Sequence, residues 1–335
     1  MSHISQQKAE PHVNTSDRPG EDTALSVVVA LVTYRRLEEL RATLPLILVQ
    51  IETVSDACRV LVVDNDPEGA ARPVVDLIGD PRISYSIEPQ AGIAAARNHA
   101  LDQAPDDDLL IFIDDDETPS ENWLRDLLAT YRAHRPAAVV GPVISDFIGS
   151  LDPWIAAGGF FERRRMPTGT RIETAATNNL LLDLAKIRDA GLRFDSAFGL
   201  SGGSDTLFTR QLTGAGLPMV WCDEAIVVDH VPAARTTRQW VTKRAMRYGN
   251  SWSRTSIVLA EPGARRVLVR AEMAGRGAIR VAGGAVRMAV GTVTRSQRHH
   301  ARGRRTMMKG VGYVRGAIGS TYTEYARPTA PATTG

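Results

Sequence analysis

Four consecutive acids, Asp114, Asp115, Asp116 and Glu117, follow directly on the apolar run at 109–113 (LLIFI). Left uncompensated, four carboxylates at one strand end repel one another. A divalent cation relieves that repulsion, and carboxylate oxygens are the hard ligands that Mn²⁺ or Mg²⁺ takes. Alternate residues leaving a strand point the same way, so Asp114 and Asp116 face one site, from which a cation can bridge to a diphosphate. The competing reading is a solvated acidic turn, and Asp106-Asp107-Asp108, which precedes the same run, is read that way.

Other reactive groups also stand at the ends of apolar runs. Thr33-Tyr34-Arg35 ends the run 26–32 (SVVVALV), and Asp64 ends 60–63 (VLVV). Asp64 can accept hydrogen bonds from a nucleobase or ribose, or it can serve a turn, since Asp66-Pro67 follows. The segment GIAAARN at 92–98 opens a helix with small residues that let a ligand approach. Its Arg97 either pairs with a phosphate or strand-end acid, or is a surface residue. Asp205 follows Gly202-Gly203 and is either a general base on a mobile loop or, with Ser204, part of a helix cap. His230, next to Asp229, is either a third metal ligand or an ordinary strand-end histidine.

These groups need a scaffold that gathers strand ends. The spacing predicts buried strands at 26–32, 60–63, 83–87 and 109–113, alternating with helices at 36–51, 92–103 and 121–134. Such alternation gives a largely parallel sheet with helices on both faces, which binds ligands beyond the carboxyl ends of its strands. Further on, strands are predicted at 138–143, 177–182, 219–222 and 225–229, and helices at 203–214 and 236–260. Residues 264–320 carry apolar residues at helical spacing, although their many glycines weaken a straight helix.

Composition narrows the function classes. With 335 residues, 43% hydrophobic and 23% charged, the chain can bury a full core. Cys58 and Cys222 alone exclude a disulfide scaffold and a cysteine metal cluster, and a reducing compartment is expected. Residues 1–22 have no signal-like apolar stretch and are expected to form a disordered tail. No apolar run reaches the length of an ordinary membrane-spanning helix.

The net charge of +2 hides an asymmetry. Residues 231–320 hold 19 Lys and Arg against Glu261 and Glu272, whereas residues 1–230 carry a net −15. An anionic partner is expected: membrane surface, nucleic acid or phosphorylated substrate. Arg235, Arg238, Lys243, Arg244 and Arg247 lie near the site in sequence, some suited to a diphosphate and the others solvated or membrane-facing. Residues 264–293 have the pattern of an interfacial amphipathic helix attracted to anionic lipid, the alternative being a solvated face or an oligomer contact. The stretch has three aromatics, Trp240, Tyr248 and Trp252, before Tyr313, which makes no stacking platform, so nucleic acid is not expected.

Taken together the motifs resemble family 2 glycosyltransferases, the inverting enzymes with the A-type nucleotide-sugar-binding fold. The resemblance rests on VVVALVTYRR at 27–36, VLVVDN at 60–65, GIAAARN at 92–98, IDDDE at 113–117 and GGSDTLF at 202–208, in that order over about residues 26–250. GGSDTLF and the DHVP at 229–232 look nearest to the bacterial exopolysaccharide members, such as succinoglycan-biosynthesis glycosyltransferases. The resemblance implies a Rossmann-like mixed, mostly parallel sheet flanked by helices. A catalytic domain is expected at 23–255 and a basic helical extension at 256–335.

The resemblance also implies roles. Thr33, Tyr34, Arg35, Asp64, Arg97, Asp114 and Asp115 would bind the nucleotide sugar. Asp114, Asp116 and His230 would hold Mn²⁺ or Mg²⁺, and Asp205 would be the catalytic base. The donor would be a nucleotide-diphospho-sugar and the acceptor a saccharide or lipid-linked saccharide. The work would take place on the cytoplasmic face of the cell membrane. Ser204-Asp205 stands where many relatives have Glu-Asp, which bears on acceptor choice. TTRQW at 236–240 lacks the QxxRW of processive synthases, so one sugar per encounter is expected. Thr177-Asn178-Asn179 would line the acceptor side or form a turn. The alternatives are a nucleotidyltransferase, for which Arg35-Arg36 without glycine is a poor triphosphate loop, and a catalytically silent assembly partner at the membrane.

Overall fold

A computed structural model describes residues 24–321. The expected tail at 1–22 and the end of the expected extension lie outside the described residues. The strands are β1 (Ser26–Thr33), β2 (Ala57–Asp64), β3 (Ile83–Ile87), β4 (Leu109–Asp114), β5 (Glu117–Pro119), β6 (Ala138–Val140), β7 (Val143–Phe147), β8 (Arg171–Ile172), β9 (Asn179–Asp183), β10 (Met219–Trp221) and β11 (Val227–Val231). The helices are α1 (Leu37–Glu52), α2 (Arg72–Ile78), α3 (Ile93–Asp102), α4 (Trp123–His134), α5 (Pro153–Gly158), α6 (Leu184–Asp189), α7 (Ser204–Gly214), α8 (Arg238–Leu259), α9 (Ala264–Val293) and α10 (Gln297–Ala317).

The eight-stranded sheet has the order β3-β2-β1-β4-β9-β6-β10-β8. Strands β3, β2, β1 and β4 run parallel, in a register that sets Thr33 beside Asp64 and Val32 beside Asp114. Three of the chemistry-bearing strand ends therefore share one edge. Successive residues of these strands feed opposite faces. Val27, Val29, Leu31, Ile111 and Ile113 pack with α1 and α4, while Val28, Ala30, Leu110 and Phe112 pack with α3 and with Phe208 of α7. Burial on both faces explains the unbroken apolar runs. Strand β9 lies antiparallel between β4 and β6, so the sheet is mixed beyond β4.

The strand predicted at 138–143 is two strands. Gly141-Pro142 lets the chain leave the large sheet at β6 and enter a three-stranded sheet, β5-β11-β7. A Cβ on Gly141 would stand 2.2 Å from the Ala225 carbonyl oxygen and 2.3 Å from Asn179 Nδ2, so only glycine fits this crossing. The small sheet sets β11 beside β5, which follows β4 by three residues, and thereby carries Asp229 to the acidic strand end.

The basic C-terminal region forms a hairpin of two long helices docked on α8, which passes unbroken through the expected boundary at 255/256. Glycines at seven-residue spacing make the contact between the helices: Gly277, Gly284 and Gly291 on α9, and Gly303 and Gly310 on α10. A Cβ on Gly284 would stand 2.5 Å from Met307 N and 2.8 Å from the Gly303 oxygen. These glycines, expected to weaken the helix, instead let two backbones approach. Gly284→Val is expected to cost about 3 kcal/mol in chemical denaturation by overpacking. Gly283→Ala, where an added Cβ meets nothing within 4 Å, should stabilise by about 0.5–1 kcal/mol.

Candidate active site

The end of β1 builds the floor of the site. Thr33 is buried and donates its hydroxyl to Asp115 at 2.7 Å. Arg35 has a left-handed backbone, φ 54°, which sends the two adjacent arginines in different directions. Arg35 is exposed, donates to Asp66 at 2.6 Å and stacks near Tyr34. Arg36 turns inward and donates to Asp115 at 2.8 Å and to Asp116. Burial alone would lower its pKa, but the hydrogen bond to Asp116 and the two nearby carboxylates raise it instead.

The four acids divide into two kinds. Asp115 and Glu117 are buried, 3% and 2% exposed, and brace the turn. Glu117 accepts from the backbone N–H of Asp114 at 3.1 Å and from Asn178 Nδ2 at 2.7 Å. Burial pushes Asp115 up to about 7, against the opposing effects of Arg36 and Thr33. Burial also raises Glu117, with Asp114 adding to the shift. Asp114 and Asp116 instead face an open pocket of about 470 Å³. Burial raises Asp114 above its ordinary range. Arg97 and Arg36 oppose the shift, and the charges of Asp116 and Asp229 add to it.

The far wall of that pocket comes from β11 and α8. Asp229 and Val231 line it, together with Arg235, Trp240, Arg244 and Arg247. Three carboxylates thus face four guanidinium groups, Arg36 included. Trp240 and Phe161 lie parallel, their centroids 6.1 Å apart and their planes at 4°, with Arg244 over both rings. Arg163 reaches Asp229 at 3.5 Å. Arg238 pairs with Asp152 at 2.8 Å and does not line the pocket.

His230 departs from expectation. It is exposed, with Nε2 2.9 Å from Thr118 Oγ1 and Nδ1 3.4 Å from Asp146. Strand alternation is the cause: Asp229 and Val231 share the pocket side of β11, and His230 faces away. Asp64 also departs. It is wholly buried and accepts from the backbone N–H of Asp66 at 2.9 Å and of Ala71 at 2.8 Å, and from Tyr85 Oη at 2.7 Å. It shapes the loop after β2 and presents no open oxygen to a base. Thr177 and Asn179 are each 1% exposed, and Asn179 ties Trp123 to the backbone at Pro142 and Ala225. Asn179 holds the strand crossing, and neither side chain opens on the pocket.

Asp205 sits in the first turn of α7, after the left-handed Gly202 and Gly203. Its carboxylate accepts from the Thr206 backbone at 2.7 Å and caps no further N–H. Arg97 links this turn to the acids: it donates to Ser204 Oγ at 3.3 Å, and its charge acts on Asp114.

The donor set suits a hard cation in part. Among the described residues no three His, Cys, Asp or Glu side chains stand close enough together to hold a metal ion. Asp114 and Asp116, however, open on one pocket, and no hydrogen bond from the described residues reaches the Asp114 carboxylate. Mg²⁺-type ions are commonly held by one or two carboxylates plus substrate phosphates, so these two residues fit that pattern.

Comparison with known proteins follows the same lines. Residues 28–184 match the model of glycosyl transferase family 2. Over 234 residues the chain is 35% identical to the succinoglycan biosynthesis protein ExoM of Rhizobium meliloti, covering 69% of this chain and 75% of that protein. Among solved structures, S. aureus TarS superposes with a TM-score of 0.51 at 16% identity, over 74% of this chain and 42% of TarS, a likeness of fold. The TarS fragment 1–349 gives 0.49 at 14% identity, over 84% of this chain and 90% of the fragment.

Proposed function

Because the chain belongs to glycosyl transferase family 2 and is a glycosyltransferase, we propose that it moves one sugar, with inversion, from a nucleotide-diphospho-sugar to a saccharide or lipid-linked saccharide in exopolysaccharide synthesis. The observation that carries this reading is the pocket in which Asp114, Asp116 and Asp229 face Arg36, Arg235, Arg244 and Arg247. Such a mixed wall suits a diphosphate: guanidinium groups pair with phosphate oxygens in bidentate fashion. Bound Mn²⁺ or Mg²⁺, held by Asp114 and Asp116, would supply further neutralisation of the leaving diphosphate.

The chain's own groups perform the rest. Trp240 and Phe161 offer an apolar wall against which the donor packs. The acceptor hydroxyl attacks the anomeric carbon, the bond from that carbon to the diphosphate oxygen breaks, and Asp205 takes the hydroxyl proton. Arg97 donates to Ser204 Oγ at 3.3 Å and its charge acts on Asp114, which supports a base on the α7 turn working beside the leaving-group site. A single displacement needs no second carboxylate nucleophile. We place this work at the cytoplasmic membrane face.

The test is release of nucleoside diphosphate from UDP-, GDP- and dTDP-sugars with Mn²⁺ or Mg²⁺, followed by assignment of the product anomer. Metal-dependent release from one donor class with an inverted product supports the reading. A folded enzyme that releases diphosphate from none of them contradicts it. The two neighbours on β11 separate cleanly. Asp229→Asn is expected to raise the donor KM about tenfold, the scale of a charged hydrogen bond. His230→Ala should leave KM within about twofold, as for an exposed side chain outside the pocket.

A further inference from the structure

We infer that the outer face of the α9–α10 hairpin docks on an anionic lipid bilayer. On α9, Leu268, Ile279, Val286, Val290 and Val293 are 45–84% exposed. At about 100° per residue these five fall within roughly 60° of arc. The glycine seam onto α10 lies on the opposite side, and none of the described residues covers the stripe. A monomer surface rarely leaves so long a row of large aliphatic side chains in water without a partner.

The charge on this face selects the partner. Arg265, Arg276 and Arg287 lie along one border of the stripe, and the single acid of α9, Glu272, falls within the same arc and pairs with Arg276 at 2.6 Å. Basic side chains beside an apolar stripe match anionic headgroups beside acyl chains. A second copy of the chain is the poorer occupant, because it would set two strongly basic surfaces against each other. Among the described residues no helix is long and apolar enough to cross a membrane. The helix, about 45 Å long at 1.5 Å per residue, therefore lies along the bilayer surface. This goes beyond the sugar-transfer reading and does not depend on it.

Flotation with phosphatidylcholine vesicles, and with vesicles of phosphatidylcholine and phosphatidylglycerol in equal parts, tests the inference. The wild-type protein is expected to partition onto the anionic vesicles at least about tenfold more than onto the neutral ones, and to lose most of that preference in high salt. Ile279→Asp with Val286→Asp should lower anionic-vesicle binding by about tenfold or more. Arg265→Glu with Arg287→Glu should abolish the preference for anionic lipid. All four positions are remote from the pocket, so melting temperature and diphosphate release should match wild type. Equal partition of wild type onto both vesicles, or undiminished binding by the Asp variant, overturns the inference. So does a wild-type dimer that Ile279→Asp dissociates while no vesicle binding is seen.

Discussion

Arg36→Met is expected to lower donor turnover by about 10²-fold or more and to destabilise the protein by roughly 3 kcal/mol. Arg36 is the cation shared by Asp115 and Asp116, and it also lines the pocket. Removing it leaves Asp115, whose side chain is 4% exposed, as an uncompensated buried acid. Because a third of Arg36 is open to solvent, the stability loss should fall at the low end of the range for a broken buried pair. Arg36→Lys should recover part of the stability but little of the turnover, since an ammonium cannot make the two-pronged contact. Urea denaturation and initial-rate measurements on the three proteins check both parts. Near-wild-type turnover by Arg36→Met would remove Arg36 from the site.

Asp205→Asn is expected to reduce transfer by about 10²–10⁴-fold while leaving donor affinity unchanged. The amide keeps the shape and the hydrogen bond to Thr206 but cannot take a proton. If the residue served only the first turn of α7, the cost would be confined to about 0.3–1 kcal/mol of stability from the lost charge at a helix N-terminus. Steady-state rates, read beside donor binding, separate the two roles. Full transfer activity in Asp205→Asn would assign the base to another residue.

The parallel half of the sheet was readable because β1, β2 and β4 are apolar on both faces and end abruptly in polar residues. Direction was not readable for β9: its Leu180-Leu181-Leu182 is equally buried whichever way the strand runs, and it runs antiparallel. The acids at 114–117 were visible as a group. Their division into two pocket-facing carboxylates and two bracing ones depends on Thr33, Arg36 and Asn178, which come from distant segments.

The sequence points to Arg35 and not to Arg36, because nothing in two adjacent arginines shows which backbone turns left-handed. Asp229 was recoverable. Val227, Asp229 and Val231 are alternate residues of one strand, and that period sets Asp229, not His230, on the side of the two buried valines. The seven-residue glycine spacing was equally present in the sequence. It marked a close helix–helix seam where composition alone suggested weakness.

The most direct measurement is calorimetric titration of the nucleotide-sugar donor into wild type and Asp116→Asn, each with and without Mn²⁺. Saturable, Mn²⁺-strengthened binding by wild type, at least about tenfold weaker in Asp116→Asn, is the predicted result. Equal donor binding by the two proteins would contradict the claim that this pocket holds the donor diphosphate.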